Sequence, residues 1–217
     1  MPASTRRVLG ALMAAVGVVL VVVGSWTVVK LGPSGEARFS ATSKAPGAVV
    51  VTSDVLNCMD APVQVTATRR DGGAVLLAVA PSPDARAILA TSAASTVSVM
   101  HYPAGTMDLR ASGAGALTGA DTADIWRLSD KGAGSAELVV DQGRGPETAV
   151  ITSGDTTSLT DLTVTLAWAN RAWFFEALLV AMIGAVIAVF AFSDLWQSRA
   201  IAVHRDVAET TTPQATS

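Results

Sequence analysis

The stretch LTVTLAWANRAWFFEALLVAMIGAVIAVFAFSDLW, residues 162–196, changes character partway along its length. Its first eight residues form a short run of apolar residues and threonines, which is typical of a β-strand. From Ala172 onward the chain is almost continuously apolar, and a helix of that length can cross the roughly 30 Å hydrocarbon core of a bilayer. The stretch therefore predicts a strand that leads directly into a membrane-spanning helix.

Aromatic residues flank this apolar run, as they do at the two faces of a bilayer. The predicted interface residues are Trp173, Phe174, Phe175, Glu176 and Trp196, together with Trp26 in a second apolar stretch. Asn170 is a plausible helix N-cap, which would place the Glu176 carboxylate near the positive end of the helix dipole and near the headgroups. We interpret Glu176 as an interfacial acid; the alternative is an intramembrane partner for a basic residue of another protein.

The second apolar stretch is RRVLGALMAAVGVVLVVVGSWTVVK, residues 6–30. About 22 uncharged residues separate Arg7 from Lys30, whereas the apolar region of a signal peptide has roughly 7–15. This length predicts a retained anchor. A cleaved signal is the alternative, because residues 23–25 are small enough for a signal peptidase and residues 5–7 weakly match a twin-arginine signal.

Basic residues near the second span favour a cytoplasmic location for both tails. Arg199 and Arg205 follow that span, whereas Arg171 alone directly precedes it, and cytoplasmic segments carry the excess of basic residues. The predicted protein is therefore a two-pass protein of the plasma membrane. Its predicted parts are a cytoplasmic N-terminus 1–7, a transmembrane helix 8–29, an extracytoplasmic β domain 30–170, a transmembrane helix 171–196 and a partly disordered cytoplasmic tail 197–217.

Small residues recur along both predicted spans. The first span carries glycines at seven-residue intervals, and the second carries alanines three or four residues apart. Small residues on one face allow two helices to approach closely. The predicted packing residues are Gly10, Gly17, Gly24, Ala177, Ala181, Ala185 and Ala188. Because the chain is rich in alanine, composition alone is the alternative explanation for part of this pattern.

The segment between the spans has the pattern of a β domain. Short β-prone runs, most of them separated by Gly, Pro, Asp or Ser, occur at 36–42, 48–53, 63–70, 74–80, 96–102, 124–130, 136–141, 148–153 and 162–169. The turn residues Asp71-Gly72-Gly73 predict a tight hairpin between two of these runs. The predicted fold class is therefore a mainly β extracytoplasmic domain, a sandwich or partly open barrel, flanked by two transmembrane α-helices.

One short helix and one long loop are predicted within this domain. In SPDARAILATSA, residues 82–93, Ser82 can cap a helix and Pro83 fits its first position. The glycine-rich segment 111–124 predicts a surface loop.

The two spans also restrict the first and last strands of the domain. If the spans pack together, their axes lie roughly 8–10 Å apart, so the chain must leave and re-enter the membrane at nearly one point. Few residues separate each span from the nearest strand. We therefore predict that strands 36–42 and 162–169 are antiparallel neighbours, or at least share the membrane-proximal end of the domain.

The sequence has few residues that could catalyse a reaction or bind a metal. The single cysteine, Cys58, excludes an internal disulfide framework, and we interpret it as a free, mostly buried thiol, with an intermolecular disulfide as the alternative. His101 lies in a predicted strand, where it could pair with Asp108, and His204 lies in the tail. The net charge of -3 gives no electrostatic footprint for nucleic acid. We therefore predict no enzymatic activity, no cofactor and no metal.

Two segments carry a resemblance to a known group of proteins. They are VLLAVAPSPDARAIL, residues 75–89, and DIWRLSDKGAGSAELVV, residues 124–140. Together with the order of spans and strands, they resemble a group of uncharacterised actinobacterial two-helix membrane proteins with a β-rich extracytoplasmic domain. Asp84 and Trp126 would be the matching positions. The resemblance implies this architecture and no particular activity.

The sequence thus predicts a membrane-anchored binding or assembly module of a bacterial cell envelope. Its expected partners are the lipid bilayer and either another envelope protein or a second copy of the chain. One alternative is an accessory subunit of a transport or signalling complex; another is a surface-tethered enzyme. A polar cleft with convergent titrating groups would favour the enzyme, whereas a flat apolar patch or an open strand edge would favour binding.

Overall fold

A computed structural model describes residues 3–141, 143, 145–153, 159 and 161–210. The chain divides into two compact units. One comprises residues 36–170 and is the β domain; the other comprises residues 1–35 and 171–217 and contains the two long helices. Residues 211–217, the last third of the predicted tail 197–217, lie outside the described part of the chain.

The β domain contains ten strands and two short helices in its described residues. The strands are β1 Glu36–Ser43, β2 Ala48–Val51, β3 Val63–Arg69, β4 Ala74–Pro81, β5 Ala94–His101, β6 Thr106–Ser112, β7 Leu128–Ala133, β8 Ser135–Val140, β9 Glu147–Ser153 and β10 Leu162–Ala169. The long helices are α1 Ala3–Leu31 and α4 Arg171–Thr210, and the short ones are α2 Ser53–Leu56 and α3 Ser82–Leu89. The coarser part of the predicted class, a mainly β domain that lies between two long apolar helices along the chain, is confirmed, but the domain has two short helices where one was predicted.

The ten strands form one sheet that curls into a nearly closed barrel. Their order is β7-β4-β9-β2-β5-β6-β1-β10-β3-β8. Most neighbours are antiparallel, but β2 pairs with β5 in parallel and β1 meets β6 through the parallel pair Ser40↔Thr106. Alternate residues of each strand point inward, so Val49, Val65, Leu77 and Ile151 are fully buried.

The predicted neighbours β1 and β10 are paired along their whole length. Their antiparallel register runs from Glu36↔Ala169 to Ser43↔Leu162. The prediction is confirmed in its stronger form, direct pairing. Ring contact adds to the ladder, because Phe39 and Trp168 pack edge to face with centroids 6.0 Å apart.

The hairpin predicted at residues 71–73 is wrong in its pairing. Gly72 has the expected positive φ of 71°, but β3 pairs with β8 and β10, whereas β4 pairs with β7 and β9. The β4–β7 ladder ends at Ala74↔Ala133, and the β3–β8 ladder begins at Thr68↔Ser135. The β4–β7 ladder is therefore continued by the β3–β8 ladder after a bend. The chain makes this bend through residues 70–73 between β3 and β4, and through Gly134 alone between β7 and β8.

A buried arginine holds this bend. Arg69 is 5% exposed; its guanidinium donates to both carboxylate oxygens of Asp71, at 2.9 and 2.5 Å, and to the Ala74 carbonyl at 3.0 Å. The backbone N–H of Arg69 donates to the Gly134 carbonyl, which joins the two turns. The hydrogen bonds that the Asp71 carboxylate accepts, chiefly from the Arg69 guanidinium and also from the backbone N–H of Gly73, hold the pKa of Asp71 below its usual range.

Three strands are covered on both faces. Consecutive residues of β2, β4 and β9 are buried, including Val75 through Ala80. Their outer faces lie beneath α3 and the segment that follows β6, whose Leu117, Ile125 and Trp126 pack on Ala80 and Val150. The Trp126 indole N–H donates to the Ala120 carbonyl at 2.6 Å.

Several boundaries differ from the predicted ones. Strand β6 occupies residues 106–112, where no strand was predicted and where the predicted loop begins at residue 111. Strand β7 begins at Leu128, so residues 124–127, predicted as strand, belong to the preceding loop. Helix α3 begins one residue earlier than expected: Ser82 is inside the helix, and its hydroxyl bonds the Pro146 carbonyl and the Thr148 hydroxyl rather than capping.

The two long helices are apolar enough, over enough residues, to cross a bilayer. The qualifying segments are Val8–Leu31 and Arg171–Ser193. Helix α4 continues as a helix to Thr210, through much of the segment predicted as a partly disordered tail. The two helices are antiparallel neighbours, because Gly24 of α1 lies beside Ala177 and Gly17 lies beside Ala188.

Candidate functional site

The β domain has a polar cleft of about 440 Å³ on its outer surface. Its floor is formed by neighbouring strands: Val50 of β2 is registered with Thr96 of β5, and Ala94 of β5 with Ser112 of β6. Because side chains alternate along a strand, Ala94 and Thr96 share the outer face, whereas Ser95 and Val97 are buried on the other.

Two short helices form the walls of this cleft. Helix α2 follows β2 directly and is fixed by Leu56, which is 1% exposed; its Ser53 and Asp54 line the cleft. Helix α3 contributes Arg86 and Leu89, and Ala90 follows at its end. The start of α3 is held to β9, since the Ser82 hydroxyl lies 2.9 Å from that of Thr148.

Most polar side chains of the cleft form no ion pair or hydrogen bond with other described residues. Within the described part of the chain, Asp54 and Arg86 form no ion pair, and the hydroxyls of Ser92, Thr96 and Ser112 make no hydrogen bond with protein groups. These groups would bond to water or to a ligand. None of them was predicted as a site residue, because Asp54 and Ser112 are distant along the chain from each other and from the segment that contains Arg86, Ser92 and Thr96.

Loop geometry closes one end of the cleft. Gly113 has a φ of +70°, and a Cβ added there would lie 2.0 Å from the Ser92 carbonyl oxygen. The Gly115 N–H donates to the Thr91 carbonyl at 2.9 Å, and the Ala93 N–H donates to the Gly115 carbonyl at 2.6 Å. The first glycines of the predicted surface loop 111–124 therefore hold the end of β6 against residues 91–93, which follow α3.

His101 and Asp108 form the pair that the sequence suggested. The histidine Nε2 lies 2.9 Å from a carboxylate oxygen across the β5–β6 ladder. Both side chains are about half exposed, at 49% and 60%. The pair thus lies on the surface of the domain rather than in a cleft.

Cys58 is exposed, which corrects the expectation of a mostly buried thiol. The apolar residue that its segment buries is Leu56, and Cys58 follows in the turn after α2. Partial desolvation of the sulfur nevertheless raises the pKa of Cys58 above its usual range. The thiol is therefore accessible but less ionised than a free cysteine at the same pH.

An ion pair lies at the start of β9. The Glu147 carboxylate is 6% exposed and accepts two hydrogen bonds from Arg127, one from Nε and one from Nη2 at 2.5 Å. These bonds raise the pKa of Arg127 above its usual range. The backbone N–H of Arg127 also donates to the Val79 carbonyl at 2.8 Å, so the pair fixes the entry to β7.

Close contact between α1 and α4 occurs at glycines. A Cβ added to Gly17 would lie 2.6 Å from the Ala188 nitrogen, and one added to Gly24 would lie 2.6 Å from the Ala181 nitrogen. Ala177 is buried beside Gly24. Gly10 is half-buried and lines an apolar groove of about 410 Å³ between the helices.

One predicted packing residue is misplaced, and one contact residue was missed. Ala185 is exposed, so it does not lie on the contact face. Gly184 lies there instead, since a Cβ added to it would be 2.7 Å from the Val21 nitrogen. Successive residues of a helix are turned by about 100°, so the face continues through Gly184, seven residues after Ala177. This seven-residue spacing is the signal that identifies it.

The predicted interface residues lie mostly on the surface of the helix pair. Trp26, Phe175, Glu176 and Trp196 are exposed, whereas Trp173 and Phe174 are half-buried. Lys30 places its ammonium 5.3 Å from the Trp26 ring centroid, a cation–π contact. The rings of Phe174 and Phe175 meet edge to face with centroids 5.5 Å apart.

Among the described residues, no three His, Cys, Asp or Glu side chains are grouped closely enough to hold a metal ion. The indole N–H of Trp168 is fully buried and has no hydrogen-bond partner among the described residues.

Comparisons of the chain with protein families, with curated proteins and with solved structures found no match.

Proposed function

We propose that the protein is a two-pass membrane protein of a bacterial cell envelope whose β domain, held outside the cytoplasm, binds a ligand or partner. The observation that carries this proposal is the polar cleft, which presents a carboxylate, a guanidinium and several uncommitted hydroxyls on a rigid floor of paired strands. Concave sites with a few convergent polar groups are the usual places where proteins bind small ligands.

The cleft favours binding over catalysis. A side chain that acts as a nucleophile usually lies within hydrogen-bond reach of the base that activates it. In the described part of the cleft, the bonded hydroxyl pair is Ser82 with Thr148, and neither group is a base at neutral pH. Asp54 and Arg86 are exposed and do not contact each other. Recognition of polar groups is what this arrangement supports.

The two long helices support the anchoring part of the proposal. Each has an apolar stretch long enough to cross a bilayer, and the two helices pack through glycines, as membrane helices commonly do. The pairing of β1 with β10 also agrees with a domain whose two ends enter the same membrane close together. The proposed orientation has both tails in the cytoplasm, on the basis of the arginines after the second span.

Blocking the cleft tests the binding role. The full-length protein, extracted from its membrane in mild detergent, is expected to retain a small molecule that native mass spectrometry detects as a discrete mass increment. Ala90→Trp fills the cleft and should abolish that increment. Ala87→Trp is the matched control, because Ala87 is an exposed alanine of α3 that does not line the cleft. Identical spectra for the two variants would contradict a role for the cleft.

Native Cys58 tests the orientation. As the single, exposed thiol, it should react with a membrane-impermeant maleimide in intact spheroplasts. Because its pKa is raised, labelling should accelerate as the pH increases from 7 toward 9, and the thiolate fraction should stay below that of free cysteine. A Cys58→Ser, Ser217→Cys variant should react only after permeabilisation. The reverse pattern for the two thiols would place the β domain in the cytoplasm.

A further inference from the structure

We propose that the cleft recognises a small zwitterionic ligand of the amino-acid or short-peptide class, with its carboxylate at Arg86 and its ammonium at Asp54. The inference rests on the proposed function, because it assigns a ligand class to the same cleft. It depends on the charges of the two walls, on the hydroxyls between them and on the apolar floor.

The charges of the walls are opposite and separate. Asp54 belongs to α2 and Arg86 to α3, and both line the same cleft without forming an ion pair. A guanidinium binds a carboxylate through two parallel hydrogen bonds, and a carboxylate accepts readily from an ammonium. A ligand with a single charge would satisfy one wall and be repelled by the other. A ligand that carries both charges at its ends satisfies both walls.

The remaining lining suits a peptide backbone with small side chains. The hydroxyls of Ser92, Thr96 and Ser112 can each donate and accept, and a peptide group needs one donor and one acceptor. Val50 and Ala94 supply a shallow apolar floor between them. A volume of about 440 Å³ is near the lower end of the range for small-molecule sites, which fits an amino acid or a dipeptide.

Binding of alanyl-alanine to the full-length protein in detergent tests the proposal. Isothermal titration should detect the free dipeptide, and both N-acetyl-alanyl-alanine and alanyl-alanine amide should bind about tenfold more weakly, because each lacks one charge. Arg86→Gln should remove the discrimination against the amide and keep that against the acetylated probe. Asp54→Asn should do the opposite. General misfolding would weaken the binding of all three probes alike, so it cannot produce these opposite effects in the two variants.

The outcomes separate this proposal from the one on which it rests. Equal binding of all three probes, or no binding of alanyl-alanine to the unmodified protein, overturns the zwitterion assignment. If Ala90→Trp still abolishes a copurifying small molecule in that case, the cleft binds a ligand of another class and the proposed function stands. If Ala90→Trp has no effect either, both proposals fail.

Discussion

Gly17→Leu is expected to separate α1 from α4 along much of their length. Even the first carbon of a side chain at Gly17 would lie 2.6 Å from the Ala188 nitrogen and 2.9 Å from the Gly184 carbonyl oxygen, and both of these are backbone atoms that cannot rotate away. Overpacking of this kind costs about 1–3 kcal/mol and occasionally more. The helix pair should therefore open or shift.

Pulsed EPR measures this separation directly. Spin labels at Thr5 and Trp196, which are both exposed, report the distance between the helices in a Cys58→Ser background. The distribution should lengthen and broaden in Gly17→Leu and also in Gly184→Leu. Ala15→Leu is the control, because Ala15 is exposed on another face of α1. An unchanged distribution in both glycine variants would show that the small residues reflect composition and not packing.

Arg127→Met is expected to destabilise the β domain by about 3–5 kcal/mol, because it leaves a buried carboxylate without its partner. Glu147 is 6% exposed at its side chain and receives both of its bonds from Arg127. The double variant Arg127→Met, Glu147→Leu removes both charges and should recover most of the loss. Buried ion pairs often contribute little net stability compared with apolar replacements.

Urea unfolding of the full-length protein, followed by tryptophan fluorescence, measures these differences. The control is Glu36→Gln, which removes the acid of the Glu36–Arg38 pair, where the Arg38 side chain is 67% exposed. Exposed pairs contribute about 0–1 kcal/mol, so this change should shift the midpoint little. If the single and double variants at Arg127 and Glu147 lose the same stability, the unpaired buried carboxylate of Glu147 is not the cause of the loss.

The sequence predicted the elements of this fold better than their pairing. The β-prone runs at 36–42, 63–70, 74–80 and 162–169 are strands because local patterns of side chains determine them. The bend at residues 70–73 has the glycine that a hairpin turn requires, but local chemistry does not decide which strands pair next to the turn. Gly134 and the buried Arg69, which come from different segments, determine that arrangement.

The cleft was unpredictable for a related reason. Its residues belong to β2, α2, α3, β5, β6 and β9 and to the loops beside them, and its two charged residues, Asp54 and Arg86, are far apart in sequence. Strand β6, TMDLRAS, has a polar and largely exposed pattern, which is why it lacked the apolar signal of its neighbours. In contrast, the β1–β10 pairing could be predicted from chain connectivity, since short links to two neighbouring helices leave those strands little freedom.

The β1–β10 ladder has a mechanical consequence. Glu36 and Ala169 form its first pair, and each lies a few residues from a long helix, so the two points at which the helices join the domain along the chain are at the same end of one antiparallel ladder. The hydrogen bonds of such a ladder are perpendicular to its strands. Tension that spreads the two helices would therefore load those bonds one pair at a time, starting at Glu36 and Ala169. The domain would yield to such spreading at much lower force than a ladder pulled lengthwise from opposite ends.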